Sequence, residues 1–141
     1  MGGAIAGGCA LTWLTALTVY DVRERRLPNA LTLPGAVVVL VVAGLAGRGP
    51  AALLGAITLT ALYLVVHLIS AAAMGAGDVK LALGVGALTG AYGVDAWVLA
   101  AIAAPLLTAL WGIVGLRSRG TVPHGPSMCV SAIAAVALVL A

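Results

Sequence analysis

Six apolar runs, separated by short loops, constrain the fold of this sequence more than any other feature. A helix needs about 20 apolar residues to cross about 30 Å of hydrocarbon, and most of the runs approach that length. The fourth is short and rich in glycine. The runs cover residues 4–20, 30–47, 51–73, 79–94, 96–116 and 124–141. The pattern predicts an all-α polytopic membrane protein, with six transmembrane helices packed in one bundle and residues 1–141 forming a single domain.

The composition points to the bilayer as the solvent. The chain has 7 Lys and Arg and 4 Asp and Glu among 141 residues, so 8% is charged, against roughly a quarter in ordinary soluble domains. Hydrophobic residues make up 63% and the mean hydropathy is +1.21. A soluble domain of this size would have too few charges to cover its surface. We therefore predict the lipid bilayer as the main partner.

The basic charge and the two cysteines exclude other classes of partner. The net charge is +3, but the basic residues lie in short loops, where membrane orientation explains them without a nucleic acid. Cys9 and Cys129 lie in apolar runs without Cys-x-x-Cys spacing, so we predict two small buried hydrophobes and no metal, cofactor or disulfide. No cleavable signal peptide is predicted, because the positive charges follow the first run and do not precede it.

Charge asymmetry between the loops predicts the orientation. When loops are assigned to alternate sides, Arg48 falls on one side and every other basic residue falls on the opposite one. That second group consists of Arg23, Arg25, Arg26, Lys80, Arg117 and Arg119. Cytoplasmic loops carry the excess of Lys and Arg, so this group is cytoplasmic and both termini are outside. Asp21 and Asp78 then lie on the cytoplasmic side at similar depth, in a multi-pass membrane protein.

Polar stripes and aromatic residues add expectations for packing. A polar stripe on the first helix comprises Thr12, Thr15, Thr18 and Asp21, and a second on the third helix comprises Thr60, Tyr63, His67 and Ser70. Both are expected to face the bundle. The aromatic residues expected at the membrane interface or against lipid are Trp13, Tyr92 and Trp97.

Asp21 and Asp78 are the strongest candidates for chemistry. A carboxylate in or beside a lipid-buried helix is costly and by default functional, although interfacial loop charges wetted by water are the alternative. Gly75 and Gly77 predict a tight turn that gives a substrate backbone room beside Asp78. Two carboxylates at one depth are expected to share a proton. Such a pair suits peptide hydrolysis, since one member activates water and the other polarises the scissile carbonyl.

The remaining ionisable residues have weaker expectations. His67 is expected to be a hydrogen-bonded core histidine. Lys80 either extends its amine to the cytoplasmic interface or helps to tune the carboxylate pair. Asp95 is expected to be a solvated charge in an outer turn.

Three segments resemble those of the type IV prepilin peptidase family. "DVRERRLPN" resembles that family's Asp-x-x-x-x-x-x-Pro-Asn segment, and "GAGDVKLAL" resembles its Gly-x-Gly-Asp-x-Lys-Leu segment. "VPHGPSM" resembles a turn containing proline and glycine that opens the last helix of these enzymes. All three occur in family order and span most of the chain.

The resemblance implies an intramembrane aspartic endopeptidase that removes basic leaders from prepilins at the cytoplasmic face. Asp21 and Asp78 would be its catalytic pair, with no cofactor or metal. The resemblance also implies residues that shape the site, together with a turn that packs near it. These are Pro28, Asn29, Gly75, Gly77 and Lys80, and the turn Pro123, His124, Gly125 and Pro126.

One departure from the family pattern narrows the expected activity. Larger members carry a segment with two Cys-x-x-Cys pairs and also N-methylate the new pilin end. This sequence has no such segment, so it resembles the short, protease-only type of tight-adherence pili, and N-methyltransferase activity is not expected.

Two other functions remain open at this point. The aspartates could form an ion relay in a small transporter or channel subunit. The chain could also be a non-catalytic partner in pilus or secretion assembly. The sequence gives no oligomeric state.

Overall fold

Six α-helices form the described part of the chain. The computed structural model describes residues 2–24, 29–69, 76–114 and 125–140. The helices are α1 (Gly2–Glu24), α2 (Asn29–Leu45), α3 (Gly49–Ile69), α4 (Ala76–Ala91), α5 (Val94–Val114) and α6 (Gly125–Leu140), and those residues contain no strand. The predicted all-α fold with six helices is confirmed. The main shifts in boundaries are at α1, which ends at Glu24 and not at residue 20, and at α4, which begins at Ala76 and not at residue 79.

The helices differ in the length of their apolar stretches. Among the described residues, α3 is the one helix long and apolar enough to cross a membrane by itself. Shorter apolar stretches occupy Leu31–Leu45, Val94–Leu110 and Pro126–Leu140. Large aliphatic side chains are exposed along the outer faces of these helices, including Leu54, 64% exposed, and Leu106, 63% exposed.

The short helix α4 is the centre of the bundle. It packs against α2, α3, α5 and α6, and its largest interface is with α3. Gly55 of α3 lies against Gly86 and Gly90 of α4, where a Cβ on any of these glycines would meet backbone atoms of the facing helix. Small residues permit this approach, which gives the close van der Waals packing that holds helices together in lipid. A central helix needs no polar face, so its charges are confined to its first turns.

Two tryptophans point into the bundle and not toward lipid, which was one of the two places expected for them. The Trp13 ring packs between Gly35 of α2 and Gly84 of α4, and its Nε1 donates a 2.8 Å hydrogen bond to the Leu31 carbonyl. The Trp97 Nε1 donates a 3.1 Å hydrogen bond to the carbonyl of Gly55. The glycines leave room for each indole, and the carbonyl satisfies its N–H, so inward packing is favoured.

The α2–α3 and α4–α5 connections meet at one end of the bundle. The Arg48 guanidinium lies 5.6 Å from the centre of the Tyr92 ring, and its Nη1 donates a 3.3 Å hydrogen bond to the Ala91 carbonyl. Asp21, near the end of α1, and Asp78, at the start of α4, therefore belong to the opposite end. This arrangement agrees with the alternating sides predicted for the loops.

The predicted polar stripe on α1 is only partly internal. Thr12 and Thr15 are exposed and donate to carbonyls of their own helix, whereas Asp21 is buried. A spacing of three residues drifts around a helix with about 3.6 residues per turn, so a stripe of this length changes face. On α3 the buried Tyr63 does face the bundle, while Ser70 lies outside the described residues.

The two cysteines differ in burial, so the shared expectation is wrong for one of them. Cys9 is exposed and Cys129 is buried, and both are free thiols. Cys9 lies in the first half of α1, whereas Cys129 lies in the core between helices.

Gly84→Ala is expected to destabilise the protein through the Trp13 ring. The new Cβ would clash with the far edge of the indole, which is held by its bond to the Leu31 carbonyl. Trp13→Phe shortens the ring and should partly rescue Gly84→Ala, giving a coupling of about 0.5–3 kcal/mol. Thermal unfolding of both single variants and the double variant in detergent measures the coupling. Strictly additive effects would contradict this packing.

Candidate active site

Asp21 is a buried carboxyl group in the last turn of α1. It is 6% exposed, while the residues that follow it, up to Glu24, are exposed. One turn earlier, Leu17 and Thr18 approach the bundle, and Leu17 is fully buried. Asp21 is therefore enclosed by the bundle at the C-terminal end of α1, where the helix dipole has its negative end.

Asp78 is a half-buried carboxyl group in the first turn of α4. The positive end of a helix dipole favours a negative charge there. Lys80 lies two residues later and is also half-buried. Gly77 is within the helix, which differs from the predicted turn: α4 starts at Ala76, so the backbone at Gly77 and Asp78 is helical.

Cys129 of α6 is buried in the cluster that contains Leu17 of α1 and Leu81 of α4. Its thiol lies within electrostatic range of both Asp21 and Asp78, and the nearby Thr18 hydroxyl donates a 2.9 Å hydrogen bond to the Leu14 carbonyl of its own helix. Tyr63 of α3 also lies within electrostatic range of Asp78. Four helices thus bring polar groups to one end of the bundle, around the buried apolar residues Leu17, Leu81 and Met128.

The other predicted site residues are only partly described. Pro126 is buried at the start of α6, while Asn29 and Gly125 are the first residues of α2 and α6. The predicted residues that lie outside the described part of the chain are Pro28, Gly75, Pro123 and His124. Asp95 is exposed in the first turn of α5, at the opposite end of the bundle.

Three neighbours of the carboxyl groups were not assigned to the site from the sequence. Thr18 and Tyr63 were seen only as members of polar stripes, and Cys129 only as a small hydrophobe. The spacing of Thr18 and Asp21 was a usable signal, because residues three apart are neighbours on a helix surface. No local pattern links Cys129 to either aspartate, since that contact depends on how α6 packs.

The described residues contain no group of side chains suited to binding a metal ion. Nowhere in those segments do three or more His, Cys, Asp or Glu side chains group as they would around a metal ion.

Comparison with known families identifies the family of the chain. The sequence model of the type IV leader peptidase family matches residues 9–138, nearly the whole chain, including both aspartates. No curated protein and no solved structure matches the chain. The match agrees with the resemblance found in the "DVRERRLPN" and "GAGDVKLAL" segments. The chain therefore belongs to the type IV leader peptidase family.

Proposed function

We propose that this protein is an intramembrane aspartic endopeptidase that removes the basic leader from type IV prepilins of the tight-adherence kind. The observation that carries the proposal is that Asp21, near the end of α1, and Asp78, at the start of α4, lie at the same end of the bundle in a chain of this family. Two carboxyl groups at one end of a bundle can activate water and polarise a carbonyl without another catalytic group.

The two environments suggest how the acid–base roles divide. Asp78, at the positive end of α4, acts as the carboxylate that takes a proton from water as the water oxygen attacks the scissile carbonyl carbon. Asp21, buried at the negative end of α1, acts as the neutral acid that donates a hydrogen bond to the carbonyl oxygen. Collapse of the tetrahedral intermediate returns the proton from Asp78 to the leaving amine.

The surface of the bundle supports a multi-pass location in the bacterial cytoplasmic membrane. Exposed aliphatic side chains cover the outer faces of α2, α3 and α5, which suits lipid as their neighbour. By the charge asymmetry of the loops, the active site faces the cytoplasm and both termini lie outside. A basic prepilin leader is complementary to an acidic pair. The proposal includes one peptidase domain over residues 1–141 and no N-methyltransferase activity.

Membership in a peptidase family favours this proposal over the two alternatives. An ion-relay subunit would need the carboxyl groups along a conduction path, but both lie near helix ends at one end of the bundle. An assembly partner without catalysis would have no use for a buried carboxyl group such as Asp21, which costs several kcal/mol unless it is compensated.

The direct test uses purified protein in lipid vesicles and a prepilin-like peptide. The peptide carries a basic leader followed by an apolar helix, and mass spectrometry follows its cleavage at one site. We expect cleavage before the apolar helix, and none of the same peptide when vesicles lack the protein. Ion flux through the vesicles without peptide cleavage would instead support the transporter.

A further inference from the structure

Two buried serines of α6 have hydroxyl groups without a protein partner. Ser127 is 3% exposed and Ser131 is 1% exposed, and among the described residues neither Oγ atom has a hydrogen-bond partner. A hydroxyl that is buried in this way has lost its hydrogen bonds to bulk water and has gained none, which destabilises the fold. Two such groups on one helix indicate a ligand that supplies the missing hydrogen bonds.

Most other hydroxyl groups in these helices are satisfied by their own backbone. Six threonine hydroxyls donate to the carbonyl four residues earlier, at distances between 2.7 Å and 3.1 Å, and these belong to Thr12, Thr15, Thr18, Thr58, Thr89 and Thr108. Ser131 could bond to the Ser127 carbonyl in the same way, but it does not. Its hydroxyl therefore lies inside the bundle and remains available to a ligand.

The two serines are spaced so that one small molecule can reach both. Residues four apart lie on the same face of a helix, with Cβ atoms about 5–6 Å apart. A hydrogen bond between two oxygens spans about 2.7–2.8 Å, so one oxygen atom between the hydroxyls can bond to both. The next residue on this face, Ala135, is buried and small. The largest interface of α6 is with α5, whose described buried residues are also small, namely Ala96, Ala100 and Ala104.

We propose that Ser127 and Ser131 bind an internal water molecule, held between their hydroxyl groups on the small-residue face of α6. Water fits because each hydroxyl is neutral and can both donate and accept a hydrogen bond, and two polar partners are enough to hold it. The site does not depend on the proposed peptidase function. Because α6 begins at the end of the bundle that carries Asp21 and Asp78, the site places a bound water at that end of an otherwise apolar bundle.

The sign of a change in thermal stability tests the water site. Without a water, Ser127→Ala or Ser131→Ala would remove an unsatisfied group and introduce a better helix former, so the unfolding midpoint in detergent would rise. With a water, each substitution deprives it of a partner, and we expect the midpoint to fall by about 2–4 °C. The double variant should lose less than the sum of the single losses, because both variants lose the same water. A rise in either single variant overturns the proposal.

Thr60→Val is the matched control for loss of a core hydroxyl. The Thr60 hydroxyl is also buried without a partner, but no serine or threonine lies three or four residues away from it on α3. A water there would lack the second hydroxyl, so Thr60→Val should leave the midpoint unchanged or raise it. A fall as large as that of the serine variants would show that the loss follows removal of any core hydroxyl, and the proposal would fail.

A crystal structure at a resolution that shows ordered water observes the site directly. We expect one water within about 2.7–3.0 Å of both Oγ atoms, and no water there in the double variant. Hydroxyls of Ser127 and Ser131 that bond only to helix carbonyls, with no water between them, would contradict the proposal whatever the result of peptide cleavage.

Discussion

Replacing either Asp21 or Asp78 with Asn is expected to reduce the kcat for leader cleavage by at least about a thousandfold. Asparagine has nearly the same shape as aspartate, but it can neither take a proton from water nor supply one. Asp78→Asn removes the proposed base, and Asp21→Asn removes the proposed acid. The measurement is the rate of peptide cleavage in vesicles, at equal amounts of folded protein for each variant.

The double variant and a surface control sharpen this expectation. Groups that act as a unit are not additive, so Asp21→Asn with Asp78→Asn should be about as inactive as either single variant. Asp95→Asn should cleave normally, because Asp95 is exposed at the opposite end of the bundle. Normal cleavage by both single variants would exclude the carboxyl pair as the catalytic centre.

The six helices of this protein could be predicted because each coincides with an apolar run in the sequence. Charged loops and glycine or proline residues bound these runs, and such boundaries are local features of the sequence, so all six were found. The start of α4 was less predictable. Gly77 and Asp78 are poor helix formers in general, but Asp78 is favourable in a first turn, and the observed helix includes both.

The neighbours of the carboxyl groups were much harder to predict. Asp21 and Asp78 stand out because charge is rare in this sequence, whereas Cys129 is one small residue in an apolar run. Its approach to both depends on α6 packing beside α1 and α4, which a single sequence does not encode as a local pattern. The direction of the Trp13 side chain could not be predicted for the same reason, because it depends on the space left by Gly35 and Gly84.

The interface between α3 and α4 should be the most sensitive packing surface. A Cβ at Gly86 would meet the Gly55 carbonyl oxygen and, at 3.0 Å, the Cα of Ala56. These are backbone atoms, so no rotamer change can relieve the contact, and the two helices must separate. Gly86→Ala should therefore cost about 1–3 kcal/mol, a range typical of overpacked cores. The thermal unfolding midpoint in detergent measures the loss.

Gly8→Ala is the control that isolates packing from backbone effects. Alanine favours a helix over glycine by about 1 kcal/mol, and this gain applies at both positions. A Cβ at Gly8 of α1 meets no atom within 4 Å, so Gly8→Ala should be neutral or stabilising. The opposite sign of the two substitutions would attribute the loss at Gly86 to contact with α3. If Gly86→Ala also raised the unfolding midpoint, α3 and α4 could not be packed backbone to backbone at Gly55.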